Sequence, residues 1–167
     1  MNPSREILLI DFNRKKAGKW DIVNDGVMGG ISTSRIEFTP DNLMVFSGTV
    51  SLENNGGFAS FRMKLDERIS GCTQLIMHLK GDGKKYKFRI RTDDQWNGVA
   101  FSHDFRTIEA AWMKIEIPLK DFRPTCRGRE FLHSGELKAE KIRELGLLIS
   151  DQQAGPFSII LDWIKCY

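Results

Sequence analysis

From residue 85 to residue 91 the side chains alternate without a fault. Lys85, Lys87, Arg89 and Arg91 are cationic, and Tyr86, Phe88 and Ile90 between them are apolar. A period of two suits a strand with one buried face, because successive side chains of extended backbone point to opposite sides. The same period returns in Leu8, Ile10 and Phe12, in Ala59, Phe61, Met63 and Leu65, and in Leu75, Met77 and Leu79. It closes the chain in Phe157, Ile159, Leu161 and Trp163, which should share one face. Residues 43–52 read as one strand broken near Gly48, and residues 112–119 as a strand stopped by Pro118. Gly81-Asp82-Gly83 reads as a tight hairpin. Residues 121–135, with Pro124, Gly128 and Gly135, read as a long irregular connection, and residues 138–145 as the one short helix. The sum is about nine or ten short strands separated by turn signals, the pattern of an all-β sandwich or barrel.

The 167 residues suffice for one domain with a sizeable core, and no repeat or linker divides residues 1–167. A net charge of +3 gives little whole-molecule attraction to nucleic acid, which is not expected as a partner. No apolar run approaches the roughly 18 residues of a membrane-spanning helix, so direct membrane insertion is not expected. The apolar run Ile7-Leu8-Leu9-Ile10 is too short for a signal-peptide core. Cys72, Cys126 and Cys166 form an odd, widely spaced set, a poor framework for disulfides or zinc. They read as inert thiols in a reducing, cytoplasmic compartment.

Two Asn/Gly-rich stretches stand out. Residues 20–34 carry Asn24-Asp25-Gly26 and Met28-Gly29-Gly30 among the apolar anchors Trp20, Ile22 and Val23. Residues 52–60 answer with Asn54-Asn55-Gly56-Gly57. Both suit ordered loops at one end of a β domain, either packing on the sheet ends or contacting a ligand or partner. Asn24, Asp25, Met28, Asn54 and Asn55 are therefore binding candidates. Gly26 to Gly30 lacks the ending of a phosphate-binding loop, and neither it nor Gly81-Asp82-Gly83 opens a helix.

The cationic face of the 85–91 strand is the second candidate surface. Lys87, Arg89 and Arg91, followed by Trp96 in the next loop, suit an acidic partner or a sugar, unless they simply form a solvated face. Asp11 in the first strand and Asp162 in the last are candidates for a structural calcium site, since that ion takes oxygen ligands and terminal strands often pair. No other cofactor is expected. His78 should lie on a solvated strand face, and His103-Asp104 in a loop; neither these nor His133 sits beside a nucleophile in a recognisable catalytic setting.

Several runs carry a resemblance. Trp20 to Ser32, Phe46 to Ser60, Gly81-Asp82-Gly83 with Tyr86, Trp112 with Ile117-Pro118 and Phe122, and Leu145 to Phe157 resemble, in order, the complex I intermediate-associated protein 30 family. The resemblance implies a galactose-binding-like jelly-roll β-sandwich and a non-enzymatic role. It implies a protein partner, with subunits of a respiratory membrane complex as the first candidates and a chaperone-like hold on unfolded or partly assembled chains. It supplies no catalytic residues. Because the same fold serves many carbohydrate-binding modules, a glycan is the alternative ligand. With no transit peptide in evidence, a single-domain bacterial-type member is expected.

Overall fold

The computed structural model describes residues 6–12, 20–92, 98–126, 129–130 and 135–167, the side chains of Val27 and Met28 excepted. In chain order the strands are β1 (Ile7–Asp11), β2 (Trp20–Ile22), β3 (Thr33–Phe38), β4 (Met44–Val50), β5 (Ala59–Lys64), β6 (Gln74–Lys80) and β7 (Lys85–Thr92). They continue as β8 (Val99–Arg106), β9 (Trp112–Pro118), β10 (Arg123–Cys126), β11 (Arg129–Glu130), β12 (Ile142–Ile149) and β13 (Gly155–Cys166). They form two sheets. The first runs β3-β4-β13-β6-β9, with β1 also paired to β13; the second runs β11-β10-β8-β7-β12-β5-β2. Within both sheets the paired strands are antiparallel. At 12 residues, β13 holds β4 along its first half and β1 along its second.

The alternation read from the sequence decides what faces the middle. Tyr86, Phe88 and Ile90 of β7 are fully buried, while the cations between them stay partly exposed. Phe61, Leu145 and Leu147 join them from the second sheet, and Met44, Phe46, Leu75, Met77, Leu79 and Ile159 meet them from the first. Phe46 and Phe61 bridge the sheets edge to face, ring centroids 4.8 Å apart. Burying each of these side chains contributes about 1.5–3 kcal/mol. The result is the expected all-β jelly-roll sandwich. Among the described residues no helix is long and apolar enough to cross a membrane.

Several expectations are corrected. Residues 138–145 are not a helix: a single 3-10 turn, Ala139–Lys141, leads straight into β12. Ile142 and Leu145 do fall three apart, as on a helix face, but strands on both sides take up the backbone of this segment. Gly81-Asp82-Gly83 makes no hairpin, because β6 and β7 lie in different sheets. It is a crossover, and Asp82 fastens it: Tyr86 Oη and Ser158 N donate to Oδ2 at 3.0 and 2.9 Å. β4 is unbroken at Gly48. His103 lies within β8, not in a loop, and part of the 121–135 connection forms β10 and β11. Trp163 leaves the inner face because β13 shifts register against β6 between Leu161 and Trp163, and Ile164 becomes the next buried residue.

The cysteines also depart from expectation. Cys72 and Cys166 form a disulfide, 94 residues apart in sequence, with Cα atoms 5.8 Å apart. Spacing along the chain gave no sign of it, since the sandwich alone brings the stretch before β6 against the end of β13. Cys126 is not part of this disulfide.

Candidate binding groove

The two Asn/Gly loops meet at one carboxylate. Asp25, only 1% exposed, accepts hydrogen bonds from Ser32 N (2.9 Å) and Ser32 Oγ (2.5 Å), and from Gly57 N (2.7 Å) and Phe58 N (3.3 Å). Both nearby glycines are required for this approach, because a Cβ at Gly30 or at Gly56 would run into the Asp25 carboxylate. Burial alone would push this carboxyl up, but the donors from Ser32, Gly57 and Phe58 outweigh it and hold the group below its ordinary value. Asn24 is used in the same way: its Oδ1 accepts from Ser34 Oγ at 2.8 Å and Ser60 N at 3.4 Å. Asp25 thus clamps loop to loop, and Asn24 ties the first loop to β3 and β5. Asn54 and Asn55 are exposed in left-handed backbone, φ 58° and 59°. The Met28 side chain and Trp96 lie outside the described residues.

The outward face of the second sheet holds a different arrangement. Backbone pairing sets Arg62 of β5 opposite Gly146 of β12, and Gly146 opposite Arg89 of β7. The row continues from Arg89 to Ser102 of β8 and from Ser102 to Arg123 of β10. Paired residues share a face, so the surface reads Arg–Gly–Arg–Ser–Arg across five strands. A groove of about 1050 Å³ lies on this face, with Arg89, Ser102, Arg123 and Thr125 in its lining and Phe58 and Leu148 as apolar walls. A hollow of about 220 Å³ adjoins it, sharing Phe58 and Arg89 and reaching Arg62, Arg91 and Glu144.

The charges on this face are unequally matched. Lys85 and Lys87 are tied to Asp104 and Asp151: Lys85 Nζ lies 2.7 Å from Asp151, and Lys87 Nζ 2.9 Å from Asp104. The Lys85 hydrogen bond is the main reason that Asp151 sits below its ordinary range, and Lys85 in turn is raised. Arg91 has Glu144 at 3.9 Å. Among the described residues no carboxylate lies within ion-pair distance of Arg62, Arg89 or Arg123, and the buried Nε of Arg62 has no hydrogen-bond partner. Burial first, then the charges of Arg91 and Arg62, push the Arg89 guanidinium down to about 10. Of the sequence candidates, the structure therefore places Lys87 and Arg89 on the groove, with Lys87 held in ion pairs, and Arg89 and Arg91 on the adjoining hollow. Sequence reading missed Arg62, Gly146, Ser102 and Arg123, because only strand register unites them.

On the opposite sheet, His78 is not simply solvated. It stacks between Trp112 and Trp163, centroids 4.8 and 5.4 Å away, and its Nδ1 lies 2.7 Å from Asp162 Oδ2. The pairing of β1 with β13 does bring the strands of Asp11 and Asp162 together. Among the described residues, however, no group of three or more His, Cys, Asp or Glu side chains converges as a metal site. His103 Nδ1 is buried without a hydrogen-bond partner, its ring 6.0 Å from that of Phe122. His133 lies outside the described residues.

An open groove thus lies across one sheet of a jelly-roll sandwich of the galactose-binding-like fold. The fold is similar to that of the family 11 carbohydrate-binding module from Clostridium thermocellum in complex with a β-1,3-1,4-mixed-linked tetrasaccharide. The TM-score is 0.72, at 20% identity over 96% of this chain and 94% of that one. The chain belongs to the Complex I intermediate-associated protein 30 family, whose match covers residues 10–161. It is 26% identical to the mitochondrial complex I intermediate-associated protein 30 of Mus musculus, over 89% of this chain and 52% of the mouse protein. It is 27% identical to the probable mitochondrial counterpart of Caenorhabditis elegans, over 83% of this chain and 46% of that protein. The chain thus spans about half the length of these relatives.

Proposed function

We propose that this chain is a non-catalytic protein-binding module that holds a subunit or an assembly intermediate of a respiratory NADH dehydrogenase. Membership of a family named for complex I intermediates supports the partner. The observation that carries the reading is the groove itself: an open, partly apolar channel lined by Arg89 and Arg123, with an adjoining hollow lined by Arg62, Gly146 and Arg89, and no described carboxylate within ion-pair distance of these three arginines. Interfaces bring opposite charge against such a patch. The test is crosslinked co-purification of the tagged chain from its host, solubilised membranes included. Enrichment of NADH dehydrogenase subunits over an unrelated bait supports the reading, and their absence with the bait intact contradicts it.

One observation favours a second reading. The similar module was solved with a tetrasaccharide, and Ser102 and Thr125 put hydroxyls in the groove beside Phe58. A glycan-binding module would bind soluble oligosaccharides in titration calorimetry without any protein partner.

A further inference from the structure

We infer that the notch between Arg62 and Arg89, floored by Gly146, receives the carboxylate of an aspartate or glutamate side chain on an extended segment of the partner protein. This rests on the protein-binding reading of the groove and names the chemistry of its occupant. Neighbouring strands lie about 4.8 Å apart, so the two arginine Cα atoms, separated by β12 alone, stand roughly 10 Å apart. Between them Gly146 offers no side chain. A Cβ there would run into the Phe61 carbonyl oxygen, so the notch is built into the sheet pairing. A carboxylate seated over Gly146 accepts a two-pronged hydrogen bond from one guanidinium and keeps lone pairs for the other. No carboxylate of the described chain answers Arg62 or Arg89, and Glu144 stands by Arg91 instead.

The pattern of charge argues for an acidic peptide rather than a polyanion. In the next row, Lys87 is neutralised by Asp104, and Leu148 beside it is apolar. Arg62, Arg89 and Arg123 thus share one row with no described carboxylate at ion-pair distance, while Asp104, Asp121 and Glu130 line the groove beside it. Along that row a second notch follows, between Arg89 and Arg123 and floored by Ser102. Its centre lies two strands, or about 10 Å, from the first. An extended polyproline-II segment rises about 9 Å over three residues and returns them to the same side. The row therefore matches acidic residues at positions i and i+3.

The test is fluorescence anisotropy with the full chain and labelled extended peptides carrying Glu-x-x-Glu, Gln-x-x-Gln or Lys-x-x-Lys, at low ionic strength. The Glu peptide should bind at least tenfold more tightly than the Gln peptide. Arg89→Gln should remove that preference and Arg89→Lys should weaken it, whereas Lys114→Gln on the opposite sheet should leave it unchanged. Circular dichroism confirms that each variant is folded. Equal binding of the Glu and Gln peptides overturns the inference. So does a preference that survives in folded Arg89→Gln, or binding of inorganic phosphate or glucuronate without binding of the Glu peptide. Co-purification separates this from the broader reading. Capture of dehydrogenase subunits by wild type and Arg89→Gln alike would overturn the notch and leave the assembly role standing. Glu-selective peptide binding with no subunit captured would support the notch and contradict that role.

Discussion

Arg62 and Arg89 stand on either side of Gly146 in one row of the second sheet, each paired through the backbone with that glycine. The glycine is there because the Phe61 carbonyl and the Arg62 backbone occupy the space a side chain would need. Gly146→Ala should therefore destabilise the fold by about 1–3 kcal/mol, the usual range for overpacking. The denaturation midpoint should fall while the denaturant slope stays unchanged.

Arg89 is held where burial and two neighbouring arginines oppose its charge. Replacing a charge of this kind by an apolar side chain of similar length tends to stabilise. Arg89→Met should gain about 1 kcal/mol at neutral pH in chemical denaturation, while losing binding to acidic peptides. The pH dependence has a definite sign. Burial and the neighbouring arginines push the folded guanidinium down to about 10, well below its ordinary value, so the folded state releases its proton first. As pH rises through about 10, wild type should recover stability and its deficit against Arg89→Met should shrink.

Asp25 ties residue 57 to residue 32 through one carboxylate, with donors on both oxygens. Asp25→Ala should cost about 3 kcal/mol, since several donors lose a charged acceptor together. The folded carboxyl lies below its ordinary 3.8. Its stabilisation is complete above that value and is lost as pH falls through the lower, folded value. Asp25→Asn should be less stable than wild type at neutral pH but flatter in acid, as urea denaturation at a series of pH values will show.

Asp104 and Asp151 keep Lys85 and Lys87 occupied. The double variant Asp104→Asn, Asp151→Asn should free both cations and tighten acidic-peptide binding several-fold, an effect that added salt should erode. Its stability should drop by about 1 kcal/mol or less, because exposed pairs contribute little.

What the sequence disclosed follows from the range of the interactions involved. The alternation of Tyr86, Phe88 and Ile90 with four cations is local, and it placed the strand, its face and the core correctly. Residues 138–145 misled because a short apolar pattern suits either period, and only the strands beside Leu145 and Leu147 decide between them. Arg89 and Arg91 were visible as a ladder along one strand. The row that makes Arg89 part of a site runs across strands, through Gly146 and Ser102, and no spacing along the chain encodes it. The Cys72–Cys166 pair was hidden for the same reason. Asp25 drew attention for the right chemistry, an acid among glycines, but it faces inward.

The most direct test of the account is site-specific photocrosslinking in the host, with the reactive group at Ser102 on the groove or at Ser158 on the opposite sheet. The account predicts adducts with NADH dehydrogenase subunits from position 102, lost when Arg89→Gln is added, and none from position 158. Adducts from position 158 alone, or none from position 102 in a folded and abundant protein, would contradict it.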